Sequence, residues 1–307
     1  MSRAAAAAVS MLCGVVAALL YLAPVLGSAG ALFLVYLTQL PLFIAGLWLG
    51  TGAAAIAGVI ATLLMLAAAD GMAALLFSAL NAAPVILLVR QALLARPRPD
   101  GGTEWYPGGS LTAWLTAYGL AGLAAGVILL GGPQGIETEL GEVIGRVLGA
   151  SGDVTAADRS SLAGLLSLVM PGLIVSSWMA AVAANAALGQ GLLARFGANW
   201  RPSPDLAGLV LPLWIPGLAV AAVAAIAVGG LARFAGINVA IALSVPLCLA
   251  GLAVLHAAAR RLKHPMGVLI AFYAIAGLFG WPLMLAALLG LCEPLLGLRR
   301  RLAAPGP

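Results

Sequence analysis

Polar side chains inside long apolar runs are the residues of this sequence that are best suited to bind a ligand. Five of them are candidates for a ligand-binding site: Tyr36, Gln39, Asn81, Trp178 and Asn185. Each costs free energy in a bilayer unless it is paired or hydrated. Gln39 lies two residues before Pro41, and Asn81 lies three residues before Pro84. Loosened backbone beside amides and aromatic rings can form a membrane cavity for a small polar ligand. Uncharged amides can equally hold helices together, so the sequence leaves both roles open.

Signatures of catalysis and of metal binding are missing from the sequence. It contains no Gly-rich phosphate loop with Lys-Ser/Thr, no G-x-S-x-G, no H-E-x-x-H and no pair of intramembrane aspartates. Cys13, Cys248 and Cys292 lie singly in apolar runs and lack a metal-site spacing. Glu293 is the one acid in an apolar run, and we expect it at the interface beside Arg299. The sequence therefore predicts a protein that is not an enzyme and that has no catalytic residues, metal or cofactor.

The elements that must position the candidate residues are membrane-spanning helices. Hydrophobic residues make up 63% of the chain and charged residues only 8%, against about 25% charged residues in a soluble domain. A spanning helix needs about 20 apolar residues. Apolar runs of roughly that length or longer cover residues 4–26, 31–49, 53–69, 72–94, 111–130, 161–193, 206–228, 237–259 and 266–298. The prediction is an all-α polytopic bundle with lipid as its main partner, and the lack of a basic stripe with interleaved aromatics argues against nucleic acid.

The last apolar run, 266–298, decides the helix count. It is interrupted by Gly280, Trp281 and Pro282. A single span would carry the arginines at 299–301 out of the cytoplasm, so a hairpin broken at Gly280 is preferred. This gives about eight full spans plus a split ninth segment. A long, tilted and kinked single helix is the alternative.

Positive charges between the runs predict the orientation of the chain. If the N-terminus is cytoplasmic, the first eight runs each cross once and the last run returns the C-terminus to the cytoplasm, only Arg146, Arg159 and Arg233 among the basic residues fall outside. Basic residues are enriched in cytoplasmic loops. We therefore expect an inner-membrane protein whose N-terminus is cytoplasmic.

The chain is expected to form a single integral membrane domain, residues 1–307. Its first four helices, residues 1–95, precede a cytoplasmic Pro/Gly linker at 96–109, and the second half covers 110–307. Apolar residues at helical spacing predict an external amphipathic helix at 136–149. Its polar face is acidic, so it either covers the outer mouth of the protein or simply packs on the bundle.

Small residues at four-residue spacing mark helix-packing faces. They are Gly46, Gly50, Ala54 and Gly58 in one ridge, and Gly122 and Gly126 in another. Such residues let helix backbones approach closely in lipid. Packing within the chain is the default, and a docking surface for a partner is the alternative.

The stretch Leu-Pro-Leu-Phe-Ile-Ala-Gly-Leu-Trp-Leu-Gly at 40–50, followed by the small-residue helix at 53–69, resembles the opening of the YybS-like family of uncharacterised bacterial membrane proteins. That family is similar, distantly, to the S components of energy-coupling-factor transporters and to the rod-shape protein MreD. The resemblance implies an S-component-like core of about six helices that opens outward to a small ligand, with the ridge from Gly46 facing a partner helix.

Two functions follow from this resemblance. The first is a small-solute binding or transport subunit that works with an energising transporter module. The alternative is a non-transporting, MreD-like scaffold that assembles with proteins of the cell envelope or of division.

Overall fold

The protein is almost entirely helical in a computed structural model, which describes residues 2–27, 29–131, 135–150 and 155–303. Its first helices are α1 (Arg3–Leu22), α2 (Ala29–Val35), α3 (Gln39–Leu49), α4 (Thr51–Ala68), α5 (Gly71–Phe77), α6 (Ala83–Ala92) and α7 (Gly108–Leu130). The later helices are α8 (Ile136–Ala150), α9 (Ala156–Arg195), α10 (Trp214–Ile226), α11 (Gly230–Ala259), α12 (Pro265–Phe279), α13 (Trp281–Leu296) and α14 (Leu298–Ala303). The predicted all-α fold class is confirmed.

Membrane-spanning character is carried by most of these helices. In the described part of the chain, seven helical segments are long and apolar enough to cross a membrane, and the number is eight if the α12–α13 pair counts as one span. That pair bends by 116° at Gly280, whose φ of +70° lies in the left-handed region that favours glycine. The predicted break in the last apolar run is present at Gly280, and the bent pair fits either one broken span or a re-entrant loop.

The run at 206–228 forms a shorter helix than its composition suggests. Only α10 is a regular α-helix there, with 13 residues, which corresponds to about 20 Å of length. Pro212 lies just before α10 and favours extended backbone at the residue that precedes it, whereas Pro216 lies in the first turn of α10, where proline is tolerated. The run therefore provides one full-length span fewer than expected, since the hydrocarbon core is about 30 Å thick.

The predicted linker at 96–109 contains a small β-hairpin. Strand β1 (Ala95–Pro97) pairs in antiparallel register with β2 (Thr103–Trp105). The Arg96 guanidinium lies 2.9 Å from a Glu104 carboxylate oxygen across the hairpin. Both side chains are exposed, so this ion pair adds little stability.

The chain divides into two compact units. The first comprises Met1–Leu115 and Ala180–Pro204, and the second comprises Thr116–Met179 and Asp205–Pro307. Helices α7 and α9 contribute residues to both units.

Small residues hold the first unit together. A Cβ on Gly46 in α3 would lie 2.8 Å from the Val89 side chain of α6, and one on Gly58 in α4 would lie 3.0 Å from Ala82. Gly50 has a φ of +101° and joins α3 to α4 rather than packing between helices. Gly46 and Gly58 therefore pack within the chain, as the default interpretation expected, although the ridge is split over two helices.

The second unit is built around α11. Gly236 of α11 packs on the α10 backbone, where its Cβ would lie 2.5 Å from the Ala222 carbonyl oxygen. Gly251 of α11 and Gly290 of α13 each abut the backbone of the other helix. A Cβ added to Gly122 or Gly126 on α7 would meet no atom within 4 Å, so the described residues leave this predicted packing face uncovered.

Candidate functional site

The predicted site begins at a break between α2 and α3, over residues 36–38. Four N–H groups, from Tyr36, Leu37, Thr38 and Leu40, donate to the carbonyl three residues back, at 3.0–3.2 Å. Pro41 has no N–H to donate to Leu37, which disfavours a regular α-helix at this point. In a regular α-helix the Leu40 N–H would donate to the Tyr36 carbonyl. Here it donates to the Leu37 carbonyl instead.

Asn185 of α9 takes the place of that donor. Its Nδ2 donates to the Tyr36 carbonyl at 2.6 Å and to the Ala181 carbonyl, one turn earlier on α9, at 2.8 Å. The Asn185 side chain is buried. The two bonds use both N–H groups of the amide and fix its orientation, so Oδ1 is the atom left over.

Gln39 and Asn81 meet at a second irregularity. Residues Ser78–Ala82 form a π-helical turn between α5 and α6, and Pro84 has no N–H for the Leu80 carbonyl. Gln39 Nε2 donates to that carbonyl and to Asn81 Oδ1, each at 3.2 Å. Both amide N–H groups of Gln39 are thereby engaged, and its Oε1 remains.

We call Tyr36, Thr38, Gln39, Asn81 and Asn185 the polar cluster. Three of its oxygens are buried and have no hydrogen-bond partner among the described residues: Thr38 Oγ1, Gln39 Oε1 and Asn185 Oδ1. An unpartnered buried polar group costs about 1–3 kcal/mol. The cluster therefore presents acceptors that a bound species can satisfy. The Tyr36 side chain itself is exposed, so this residue contributes its backbone oxygen.

Four of the five predicted site residues thus come together, and all four lie in the first unit. The fifth, Trp178, lies in the second unit, where its ring stacks on Tyr118 with centroids 5.8 Å apart. Both rings are half-buried.

Asn238 on α11 has a structural role that the sequence does not reveal. In a regular helix the Gly172 N–H would donate to the Leu168 carbonyl. Instead Gly172 N donates to Asn238 Oδ1 at 2.6 Å, and Asn238 Nδ2 donates to the Leu168 carbonyl at 2.9 Å. The side chain is thus inserted into the α9 ladder beside Pro171, and Gly172 allows the approach because a Cβ there would lie 2.8 Å from the Asn238 carbonyl oxygen.

Arg201 is a second buried polar residue that the sequence does not single out. Its guanidinium donates to the Ala92 carbonyl at 2.9 Å and to the Tyr106 carbonyl at 3.2 Å. Ala92 ends α6, so the positive charge lies at the negative end of that helix dipole. Burial lowers the pKa of Arg201 from its usual value, but guanidinium stays protonated in proteins. We interpret Arg201 as a cap on α6.

Glu293, which was expected beside Arg299, forms an ion pair with it. Its carboxylate lies 2.9 Å from Arg299 Nε, and Arg299 also donates to the Ala207 and Leu209 carbonyls. Both side chains of the pair are largely buried. The pair therefore fastens the C-terminal end of α13 to the loop before α10.

The predicted amphipathic helix at 136–149 forms as α8, within the second unit. A groove of about 880 Å³ lies between α8 and the first turns of α9, and Arg146, Arg159 and Glu142 are among its lining residues. Val143 and Val147 on α8 are exposed. Residues 132–134 and 151–154, on either side of α8, lie outside the described residues.

Comparison with known proteins gives no match for this chain: no family model, no curated protein and no solved structure is similar to it. Within the described ranges, no group of three His, Cys, Asp or Glu side chains could hold a metal ion. The polar cluster is therefore the candidate site on its own geometry.

Proposed function

We propose that this multi-pass membrane protein is a small-solute binding or transport subunit and that the solute binds at the polar cluster. The observation that carries the proposal is the set of three buried oxygens without partners among the described residues, Thr38 Oγ1, Gln39 Oε1 and Asn185 Oδ1. The amide nitrogens of Gln39 and Asn185 already satisfy carbonyls released by the helix breaks. The nitrogens hold the helices, and the oxygens remain for a ligand.

The free-energy cost of leaving buried polar groups without hydrogen-bond partners supports a ligand at the polar cluster. In a bilayer, polar groups must find partners inside the protein, because lipid offers none. Broken helices that line binding sites are a recurrent device of membrane transporters. A solute that donates hydrogen bonds to the cluster removes the penalty of the empty state, so binding is favoured there over other parts of the first unit.

Location and partners follow from the charge pattern and the resemblance. The basic loops favour a bacterial inner-membrane protein with a cytoplasmic N-terminus. The resemblance of residues 40–69 to YybS-like proteins favours a partner that supplies energy, as S components require.

The alternative function is a non-transporting scaffold of a cell-envelope or division assembly. One observation favours it: among the described residues, none comes within 4 Å of a Cβ added to Gly122 or Gly126 on α7, and a small-residue face suits a partner helix. This function predicts a stable protein partner and no retained solute.

The test is mass spectrometry of small molecules and proteins that co-purify with the tagged protein from its native membranes. We expect a recurrent solute with the wild type and its loss in the double variant Gln39→Leu/Asn185→Leu. The matched control is Asn199→Leu, a half-buried loop amide of the same unit. Both proteins must elute as folded species, since the double variant also removes helix contacts. A solute retained equally by the double variant contradicts the site, and envelope proteins without a solute favour the scaffold.

A further inference from the structure

The kind of ligand can be inferred from which atoms of the polar cluster are left over. Both N–H groups of the Gln39 amide and both of the Asn185 amide are already donated to carbonyl or amide oxygens. Among the described residues of the cluster, the buried atoms that lack a partner are all oxygens. The two amide oxygens can only accept hydrogen bonds, and the Thr38 hydroxyl can accept or donate one. A ligand that brings donors or a positive charge therefore suits all three oxygens.

Charge narrows the choice further. The cluster contains no carboxylate and no basic side chain. Divalent cations such as Ca²⁺ and Mg²⁺ are bound by sites that include carboxylates, so a set of neutral oxygens does not suit them. An anionic group could accept a hydrogen bond only from the Thr38 hydroxyl, and the two amide oxygens would repel it. Neutral amide, hydroxyl and backbone oxygens suit a single positive charge.

We propose that the polar cluster binds a monovalent cation, either an alkali-metal ion or the ammonium group of a small amine, through Thr38 Oγ1, Gln39 Oε1 and Asn185 Oδ1. This rests on the proposed function and specifies the ligand of the same site. An ammonium group would donate one hydrogen bond to each oxygen, and an alkali ion would take the three oxygens as ligands. A buried water could satisfy some of the same atoms, and it is one outcome of the test.

Thr38→Val is the informative variant because the Thr38 hydroxyl makes no hydrogen bond within the described protein. Removing it leaves no new unpartnered group, so the empty protein keeps its stability. The control is Thr62→Val, since the Thr62 hydroxyl donates to the Gly58 carbonyl at 2.8 Å within α4. Thr38→Ser restores a hydroxyl and serves as the rescue variant.

The experiment measures the thermal midpoint of the purified full-length protein in detergent while the salt is varied at constant ionic strength. Sodium, potassium, ammonium and methylammonium chloride are titrated against choline chloride, whose cation has no N–H. We expect saturable stabilisation of the wild type and of Thr62→Val by at least one of these cations. The apparent affinity should fall by about tenfold or more in Thr38→Val, the typical effect of losing a hydrogen bond to a charged group, and recover in Thr38→Ser. Stabilisation by ammonium and methylammonium but not by sodium or potassium would indicate that the ligand is an amine. Stabilisation by sodium or potassium but not by the two ammonium ions would indicate an alkali-metal ion.

Other outcomes separate this inference from the proposed function. In one outcome, no cation stabilises the protein more than choline does, and a neutral solute co-purifies with the wild type but not with Thr38→Val. This outcome overturns the inference that the ligand is a cation and leaves the solute-binding function standing. No cation effect and no retained solute overturns both, and leaves water or an empty cluster. An equal cation effect in wild type and Thr38→Val overturns the assignment to these oxygens.

Discussion

At the scale of single residues, Asn and Gln side chains repair helices that proline interrupts. Gln39 donates to the Leu80 carbonyl, to which Pro84 cannot donate because it has no N–H, and Asn238 donates to the Leu168 carbonyl beside Pro171. The sequence predicts that amide side chains near prolines are candidates for a site. It does not show which atom of each amide forms a hydrogen bond within the protein. That depends on neighbours far along the chain, such as Tyr36 for Asn185.

The insertion of Asn238 into α9 is testable by stability. Asn238→Ala leaves the Leu168 carbonyl and the Gly172 N–H without their side-chain partner, and each unpartnered group costs about 1–3 kcal/mol. We expect the thermal midpoint to fall by roughly 5 °C or more. An unchanged midpoint would mean that α9 closes its own ladder without help. Asn199→Ala, in a loop, is the control.

Arg201 should resist replacement by lysine. One ammonium group cannot donate to the Ala92 and Tyr106 carbonyls in the geometry that the planar guanidinium provides. We expect Arg201→Lys to lower the thermal midpoint clearly, while Arg90→Lys, at an exposed position, leaves it unchanged. Equal midpoints for the two variants would contradict the capping role.

At the scale of helices, much of the structure follows from apolar runs and prolines. The all-α class and the break at Gly280 are predictable because they depend on composition and on glycine and proline residues at the break itself. The shortness of α10 is not predictable from hydropathy, which counts residues 206–228 as one span, whereas the regular helix begins only at Trp214, after Pro212. The hairpin at 95–105 escapes a sequence-based prediction because its strands have only three residues each.

The crossing of α11 and α13 depends on two glycines. A methyl group on Gly251 or on Gly290 would meet backbone atoms of the opposite helix, and backbone cannot give way as a flexible side chain can. We expect Gly251→Ala and Gly290→Ala each to destabilise by about 1–3 kcal/mol or more, measured as a lower thermal midpoint. Gly277→Ala in α12, with open space around it, is the matched control, and it should be neutral or slightly stabilising because alanine favours helix. Tolerance of both core variants would contradict this packing.

At the scale of the whole molecule, the orientation in the membrane remains a prediction from charge. It is tested in a cysteine-free variant, with Cys13, Cys248 and Cys292 replaced by alanine, carrying one new cysteine at a time. We expect Glu137→Cys on α8 to react with a membrane-impermeant maleimide in intact spheroplasts, and Lys263→Cys to react only after lysis. Both native residues are exposed. The reverse labelling pattern would contradict a cytoplasmic N-terminus.

The sequence predicts only part of the candidate site. Residues 36, 39, 81 and 185 lie together, and prolines mark the places in the chain where such amides are needed. Trp178 is a candidate because it follows Pro171, but its ring stacks on Tyr118 within the second unit. The position of a proline in the sequence does not show which distant residue a nearby side chain contacts.

A small solute in the polar cluster would be visible in a cryo-electron microscopy structure of the protein purified gently from native membranes, at a resolution that places water molecules. We predict non-protein density in contact with Thr38 Oγ1, Gln39 Oε1 and Asn185 Oδ1. No such density, or protein donors paired with all three oxygens, would contradict this prediction, and the amides would then serve only to hold the helices together.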